Sequence, residues 1–258
     1  MSDLQYHRPK TLQEALELLD QGVPLAGGTA IVPHLKGTQT VIDLQDLGLD
    51  GLKKTKNALQ VGAAAKLQTL LTSGISKALA AACQLEANLN LRNMATLGGT
   101  IMSGDGRSPL LTALLALATE VQLEPSSERL PLDQLLDRRS EKGFHSLITS
   151  IRIPLDSPLA YDQVARAPYD RPIVCSAVCG SERKDGAREI RIVLGGFGPR
   201  PQRVPQAEQA LNEERGVEAA TAAAREAYLK ADDHWASGEY RGHVAGVLVG
   251  RLLTEVMG

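Results

Sequence analysis

Pro24-Leu25-Ala26-Gly27-Gly28-Thr29-Ala30 and Ala95-Thr96-Leu97-Gly98-Gly99-Thr100 share a Gly-Gly-Thr core, and each joins an apolar stretch to a new element. Paired glycines at such junctions have a physical use. Lacking Cβ atoms, they reach φ > 0 and let the backbone approach a ligand, so that N–H groups form an anion-binding concavity which a threonine hydroxyl completes. Two such loops suit a diphosphate. Neither is a GxGxxG fingerprint or a GxxxxGK[ST] loop, so the standard NAD and ATP readings lack sequence support. Turns also use glycine pairs constantly, and the flanking sequence has to decide between the two uses.

Working outward, Leu12, Ala15, Leu16 and Leu19 recur at helical spacing, with Thr11 and Glu14 as a capping box. Residues 40–44 and 58–63 read as strands, and 75–88, rich in alanine and leucine, as a buried helix. Ser108-Pro109 offers an N-cap and a first-turn proline for a helix through Leu110, Leu111, Leu114, Leu115 and Leu117. Strands follow at 121–123 and 148–153, the second closed by Pro154. The proline-containing stretch 154–160 reads as a domain boundary. Beyond it come strands at 174–179 and 190–194 and helical patterns over 206–211, 217–229 and 240–256, a small sheet backed by helices.

Composition narrows the function. A chain of 258 residues with 43% hydrophobic content buries a full core and suggests two domains. A net charge of -2, from 28 basic and 30 acidic side chains, gives no footprint for nucleic acid or an anionic membrane. Aromatics at 3% argue against stacking platforms for single strands. No apolar run approaches the roughly 18 residues that span a bilayer, and the first residues lack a basic segment followed by an apolar one, so a cytoplasmic location is expected. Cys83, Cys175 and Cys179 have neither disulfide nor cluster spacing. Cys175 and Cys179 lie on one face of a β-like run as buried thiols. No nucleophile elbow, Ser/His/Asp constellation or pair of catalytic carboxylates is identifiable.

Leu91-Arg92-Asn93-Met94 before the second tripeptide, the leucine-rich helix after it, and the upstream Ala26-Gly27-Gly28-Thr29 together resemble one family. It is the FAD-binding medium subunit of molybdenum hydroxylases such as xanthine dehydrogenase and carbon monoxide dehydrogenase. Tyr6-His7-Arg8-Pro9, Val41-Ile42-Asp43-Leu44, Val61-Gly62-Ala63 and Ile151-Arg152-Ile153-Pro154 look like further landmarks. In the C-terminal part, Ile192 to Gly198, Pro201 to Arg203 and Ser237-Gly238-Glu239-Tyr240-Arg241 do the same. The resemblance covers nearly the whole chain.

It implies an α+β fold: a two-lobed FAD-binding domain of the vanillyl-alcohol oxidase and molybdopterin dehydrogenase type over 1–155, with lobes of about 1–55 and 56–155. A small sheet-plus-helices domain of the carbon monoxide dehydrogenase flavoprotein type would occupy 160–258. Leu25, Ala26, Gly27, Gly28, Thr29 and Ala30 would hold one side of the FAD diphosphate, and Thr96, Gly98, Gly99 and Thr100 the other. Ser103 and Asp105 are further candidates for polar contacts. The protein would place the flavin, which performs the redox chemistry. Electrons would come from [2Fe-2S] clusters of a small subunit, after hydroxylation at a molybdopterin-binding large subunit, and leave to an external acceptor such as NAD+ or another oxidant. The chain lacks cluster cysteines and is too short for the molybdenum domain, so a heteromeric complex is expected.

Departures from the family pattern keep two alternatives open. Ala30 stands where relatives often have a polar residue, Thr100 where Asn is common, and Pro109 where many carry an aspartate; the basic residue nearest Asp162 and Gln163 is Arg166. These motivate a scaffold subunit that has lost tight FAD binding; a stand-alone flavoprotein oxidoreductase is the other alternative. His34, His145, His234 and His243 read as ordinary histidines. For Arg107, beside Asp105, an exposed loop ion pair is the cheaper reading, against facing a phosphate or a partner subunit, and Asp232-Asp233 reads as a solvated turn.

Overall fold

The computed structural model describes residues 4–35, 40–182, 188–213 and 215–258. In chain order its elements begin with β1 (Gln5–His7), α1 (Leu12–Glu17), β2 (Val23–Leu25), β3 (Thr40–Asp43), β4 (Leu52–Lys54) and β5 (Ala58–Gly62). Next come α2 (Leu67–Leu71), α3 (Lys77–Glu86), α4 (Leu89–Arg92), α5 (Leu97–Ser103), α6 (Pro109–Ala116), β6 (Glu120–Glu124), β7 (Glu128–Pro131) and α7 (Leu132–Arg138). The chain continues with β8 (Leu147–Pro154), β9 (Leu159–Val164), β10 (Val174–Glu182), β11 (Arg188–Gly195) and β12 (Gln202–Arg203), and closes on α8 (Pro205–Asn212), α9 (Gly216–Tyr228) and α10 (Gly238–Met257). They fall into two compact units, and the chain passes between them more than once. One comprises residues 1–74, 89–103 and 119–153; the other takes 75–88, 104–118 and 154–258.

The first unit holds two sheets. A parallel one, ordered β1-β3-β2, is covered by α1, whose Ala15 packs with Ile42, Leu44 and Leu147. The capping expected at Thr11 is present: its hydroxyl accepts from the Glu14 N–H at 3.3 Å, while the Glu14 carboxylate accepts from the Lys10 N–H at 2.9 Å. The Tyr-His-Arg-Pro landmark has a structural task. The Tyr6 hydroxyl donates to buried Asp43, and Arg8 reaches Asp46 at 2.6 Å, so β1 is tied to the end of β3. The second sheet has five strands, ordered β4-β5-β8-β6-β7.

The second unit is an antiparallel sheet, β12-β11-β10-β9, buried on both faces. That is why β10 reads as a continuous apolar run. Val174 and Val178 pack against the α8–α10 layer, whereas Cys175 faces α6 and meets the Thr112 hydroxyl at 3.5 Å. Helix α6 is buried at every residue, and its start is capped twice: Ser108 Oγ accepts from the Leu111 N–H, and Glu86 accepts from the Leu110 N–H at 3.0 Å. Pro109 sits at the first helical position, as its fixed φ and missing N–H favour.

Arg241 is fully buried. Its Nη1 donates to the carbonyls of Ile173 at 2.7 Å and Gly196 at 2.6 Å, and its Nη2 to Asp233 at 2.6 Å. Asp233 also accepts from the N–H groups of Trp235 and Ala236, so it organises the loop before α10 instead of forming the solvated turn expected from sequence. The expected pairing of Arg107 with Asp105 is corrected as well. Asp105 pairs with Arg171, and the Arg107 guanidinium donates to the carbonyls of Pro172 and Arg171, each at 3.0 Å. The Gly106 loop also meets the turn after β11, because Gly106 N–H donates to Gly198 O at 2.9 Å and Gly196 N–H to Gly106 O at 2.6 Å.

Candidate cofactor site

The first tripeptide lies in the turn that follows β2. The Leu25 carbonyl accepts from the Leu44 N–H at 2.9 Å and closes the parallel ladder; the chain then bends through Gly28, whose φ is +72°. A residue with a Cβ resists that left-handed conformation. The Gly28 carbonyl accepts from the Val32 N–H at 3.0 Å. Among the described residues, the backbone N–H groups of Gly27, Gly28, Thr29 and Ala30 have no protein acceptor. Backbone donors are obligatory hydrogen-bonding groups, so four consecutive ones without a protein partner call for solvent or a ligand.

The second tripeptide behaves differently. It is the first turn of α5, not a loop, and neither of its glycines has positive φ. Its donors are already used: Leu97 N–H goes to Ala65 O, Gly98 N–H to Ala63 O at 2.8 Å, Gly99 N–H to Thr96 Oγ1 at 3.1 Å and Thr100 N–H to Thr96 O. The glycines here provide room. A Cβ on Gly98 would lie 2.8 Å from both the carbonyl oxygen and the Cβ of Ala63, and one on Gly99 would lie 2.8 Å from Thr96 Oγ1.

The two segments enclose one cavity in the first unit. Gly27 to Ile31 form one wall, and Thr96, Gly98, Gly99, Met102 and Ser103 the other. Gly27 packs onto the Met94 backbone, whose carbonyl also accepts from Lys66 Nζ at 3.1 Å. The floor is apolar, from Leu44, Leu49, Ala63 and Ala64, with Ser146 to Ile148 closing the side. Among the described residues no charged side chain lines it. An anion held here would be met by N–H and hydroxyl dipoles.

Most of the residues singled out in sequence therefore come together: Ala26 to Ala30, Thr96, Gly98, Gly99 and Ser103 all line the cavity. Leu25, Thr100 and Asp105 do not. Leu25 ends β2, Thr100 is a buried helical residue, and Asp105 belongs to the second unit, engaged with Arg171 and the Arg107 N–H. Sequence reasoning missed the floor. Ala63 carried a signal, since Val61-Gly62-Ala63 stood out as a landmark, but Ser146 to Ile148 carried none.

Comparison with known proteins agrees with this fold. Residues 2–156 match the FAD binding domain in molybdopterin dehydrogenase, and residues 159–256 the CO dehydrogenase flavoprotein C-terminal domain. The chain belongs to the family of FAD-binding medium subunits of molybdopterin dehydrogenases; its cofactor is FAD and its class is oxidoreductase. The glyceraldehyde dehydrogenase medium chain of Sulfolobus acidocaldarius is 27% identical, with 98% of each chain covered. The nicotine 6-hydroxylase medium subunit of Paenarthrobacter nicotinovorans is 29% identical, covering 98% of this chain and 96% of its own. Uncharacterized protein YgfM of Escherichia coli is 30% identical, covering 97% of this chain and 95% of its own. Among solved structures, carbon monoxide dehydrogenase from Hydrogenophaga pseudoflava superposes with a TM-score of 0.82 at 27% identity, covering 99% of this chain and 97% of that one. No helix among the described residues is long and apolar enough to cross a membrane.

Proposed function

We propose that this chain is the electron-transfer subunit of a heteromeric molybdenum hydroxylase and that the cavity of the first unit holds the diphosphate of its FAD. The observation that carries the site is the run of unpartnered N–H groups from Gly27 to Ala30, facing a wall kept thin by Gly98 and Gly99. The donor set fits the group. A diphosphate accepts several hydrogen bonds at once, and fixed backbone donors beside the Thr29 and Thr96 hydroxyls supply them without side-chain reorganisation. Gly28 holds the turn in the conformation that aims those donors, and Thr96 fixes the opposite wall by capping Gly99. Leu44, Leu49 and Leu147 exclude water from the floor.

When bound, FAD supplies electron exchange between [2Fe-2S] clusters of a small subunit and an external oxidant, substrate oxidation taking place in a molybdopterin-binding large subunit. The relatives named as medium chains or medium subunits support that division of labour. The test is the visible absorption spectrum of the purified chain, with release and identification of the bound nucleotide, followed by co-purification from the native host. Stoichiometric FAD together with iron–sulfur and molybdenum subunits is the expected result. A well-folded chain that refuses added FAD would instead assign it a scaffold role, and FAD without partner subunits a stand-alone one.

A further inference from the structure

Lys66 stands at the N-cap of α2, with extended backbone and no capping hydrogen bond from its side chain. The residue type is wrong for that position. N-caps favour Ser, Thr, Asp and Asn, whose oxygens accept from the first free N–H groups, and a cation at the positive end of a helix is repelled. The side chain is used elsewhere: Lys66 Nζ donates to the Met94 carbonyl at 3.1 Å. Main-chain bonds already tie the neighbouring wall to the segment before α2, Leu67 N–H reaching Ala95 O at 3.0 Å and Leu97 N–H Ala65 O at 2.9 Å. That ladder stops at Ala95. Among the described residues no main-chain N–H reaches the Met94 carbonyl, and Lys66 supplies its donor. The Met94–Ala95 peptide is thereby bound at both ends, since its N–H donates to Leu91 O at 2.7 Å.

Gly27 rests on this same peptide. A Cβ there would overlap Met94 O and lie 2.9 Å from the Met94 carbonyl carbon and 3.0 Å from Ala95 Cα. One carbonyl therefore stands between the Lys66 ammonium and the start of the unpartnered N–H run. Lys66 itself does not line the cavity.

We propose that Lys66 is a positioning residue for the cofactor: by holding the Met94 carbonyl it fixes the surface on which Gly27 sits, and so the aim of the Gly27 to Ala30 N–H groups at the FAD diphosphate. Backbone donors stabilise an anion to the extent that they are fixed before it arrives, and a hydrogen bond from an ammonium is a strong fixing. The lysine gives up a helix cap to make it. The assignment rests on the cofactor reading given above.

The experiment is titration of the full-length chain, stripped of flavin, with FAD, alongside its Lys66→Thr and Lys66→Arg variants. Flavin fluorescence gives the dissociation constants, and thermal midpoints are taken without flavin. Lys66→Thr should bind FAD about tenfold more weakly, the loss of one charged hydrogen bond. Its midpoint should equal or exceed that of wild type, because threonine caps α2. Lys66→Arg keeps a cationic donor and should retain wild-type affinity. Wild-type affinity in Lys66→Thr would overturn the positioning role and leave the cavity reading standing. Weaker binding together with a lowered midpoint would make Lys66 a folding residue and overturn the role too, as would equal losses in Lys66→Thr and Lys66→Arg. A folded wild-type chain that binds no FAD would overturn both readings.

Discussion

Gly27 and Met94 touch through their backbones: a Cβ built on Gly27 would overlap the Met94 carbonyl oxygen, which Lys66 also holds. This contact brings the donor-bearing turn to the wall that carries the second tripeptide. Gly27→Ala must separate the two and misplace the N–H run. Its FAD affinity should fall at least tenfold, about 1.4 kcal/mol. The ratio of bound flavin to protein in the folded variant checks this, and a wild-type ratio would remove the site assignment.

Arg241→Met leaves the Ile173 and Gly196 carbonyls without their donor and Asp233 without its cation. Breaking a buried charge network from one side costs about 3 to 5 kcal/mol. Denaturant unfolding of the variant should show a loss of that order, and a loss within measurement error would mean that the buried cation is dispensable.

Burial pushes the Asp233 carboxyl up, but the N–H groups of Trp235 and Ala236 and the Arg241 guanidinium outweigh it and hold it below its ordinary value. A carboxylate depressed in the folded state contributes stability that is present above the unfolded value, about 3.9, and is lost as pH falls through the folded one. Thermal midpoints measured across the acid range should therefore decline more steeply in wild type than in Asp233→Asn. Parallel acid limbs would show that Asp233 contributes nothing to acid stability.

Burial raises the thiols of Cys175 and Cys179 to about 11, and Cys83 is also buried. Only the thiolate attacks, so a thiol reagent at pH 8 should label none of the three in the native chain and all three once it is unfolded. Rapid labelling of native Cys175 or Cys179 would show that the sheet of the second unit opens locally.

Local chemistry made part of this legible in the sequence. Thr11 and Ser108-Pro109 announce helix starts because a cap is formed by neighbours in the chain, and both are caps in the structure. The need for small residues at both tripeptides was also legible. What they do there was not, because helix and turn use glycine for different reasons, and the difference at Gly98 lies in Ala63, distant in sequence. Asp233 and Arg107 were misread for the same cause. Their partners, Arg241 for one and the Arg171 and Pro172 carbonyls for the other, are brought in by the fold, and a pair of adjacent charges in the sequence says nothing of them.

The two Gly-Gly-Thr segments spell the same letters in different dialects. At Gly28 the backbone is left-handed, so a library randomised there should return glycine with asparagine as a minor survivor. At Gly98 the backbone is helical but a Cβ would meet the Ala63 backbone, so even alanine should be rejected; at Gly99 a Cβ meets only the Thr96 hydroxyl, so alanine is the substitute to look for. Their likeness is then convergence on smallness, and no ancestral duplication is required to explain it.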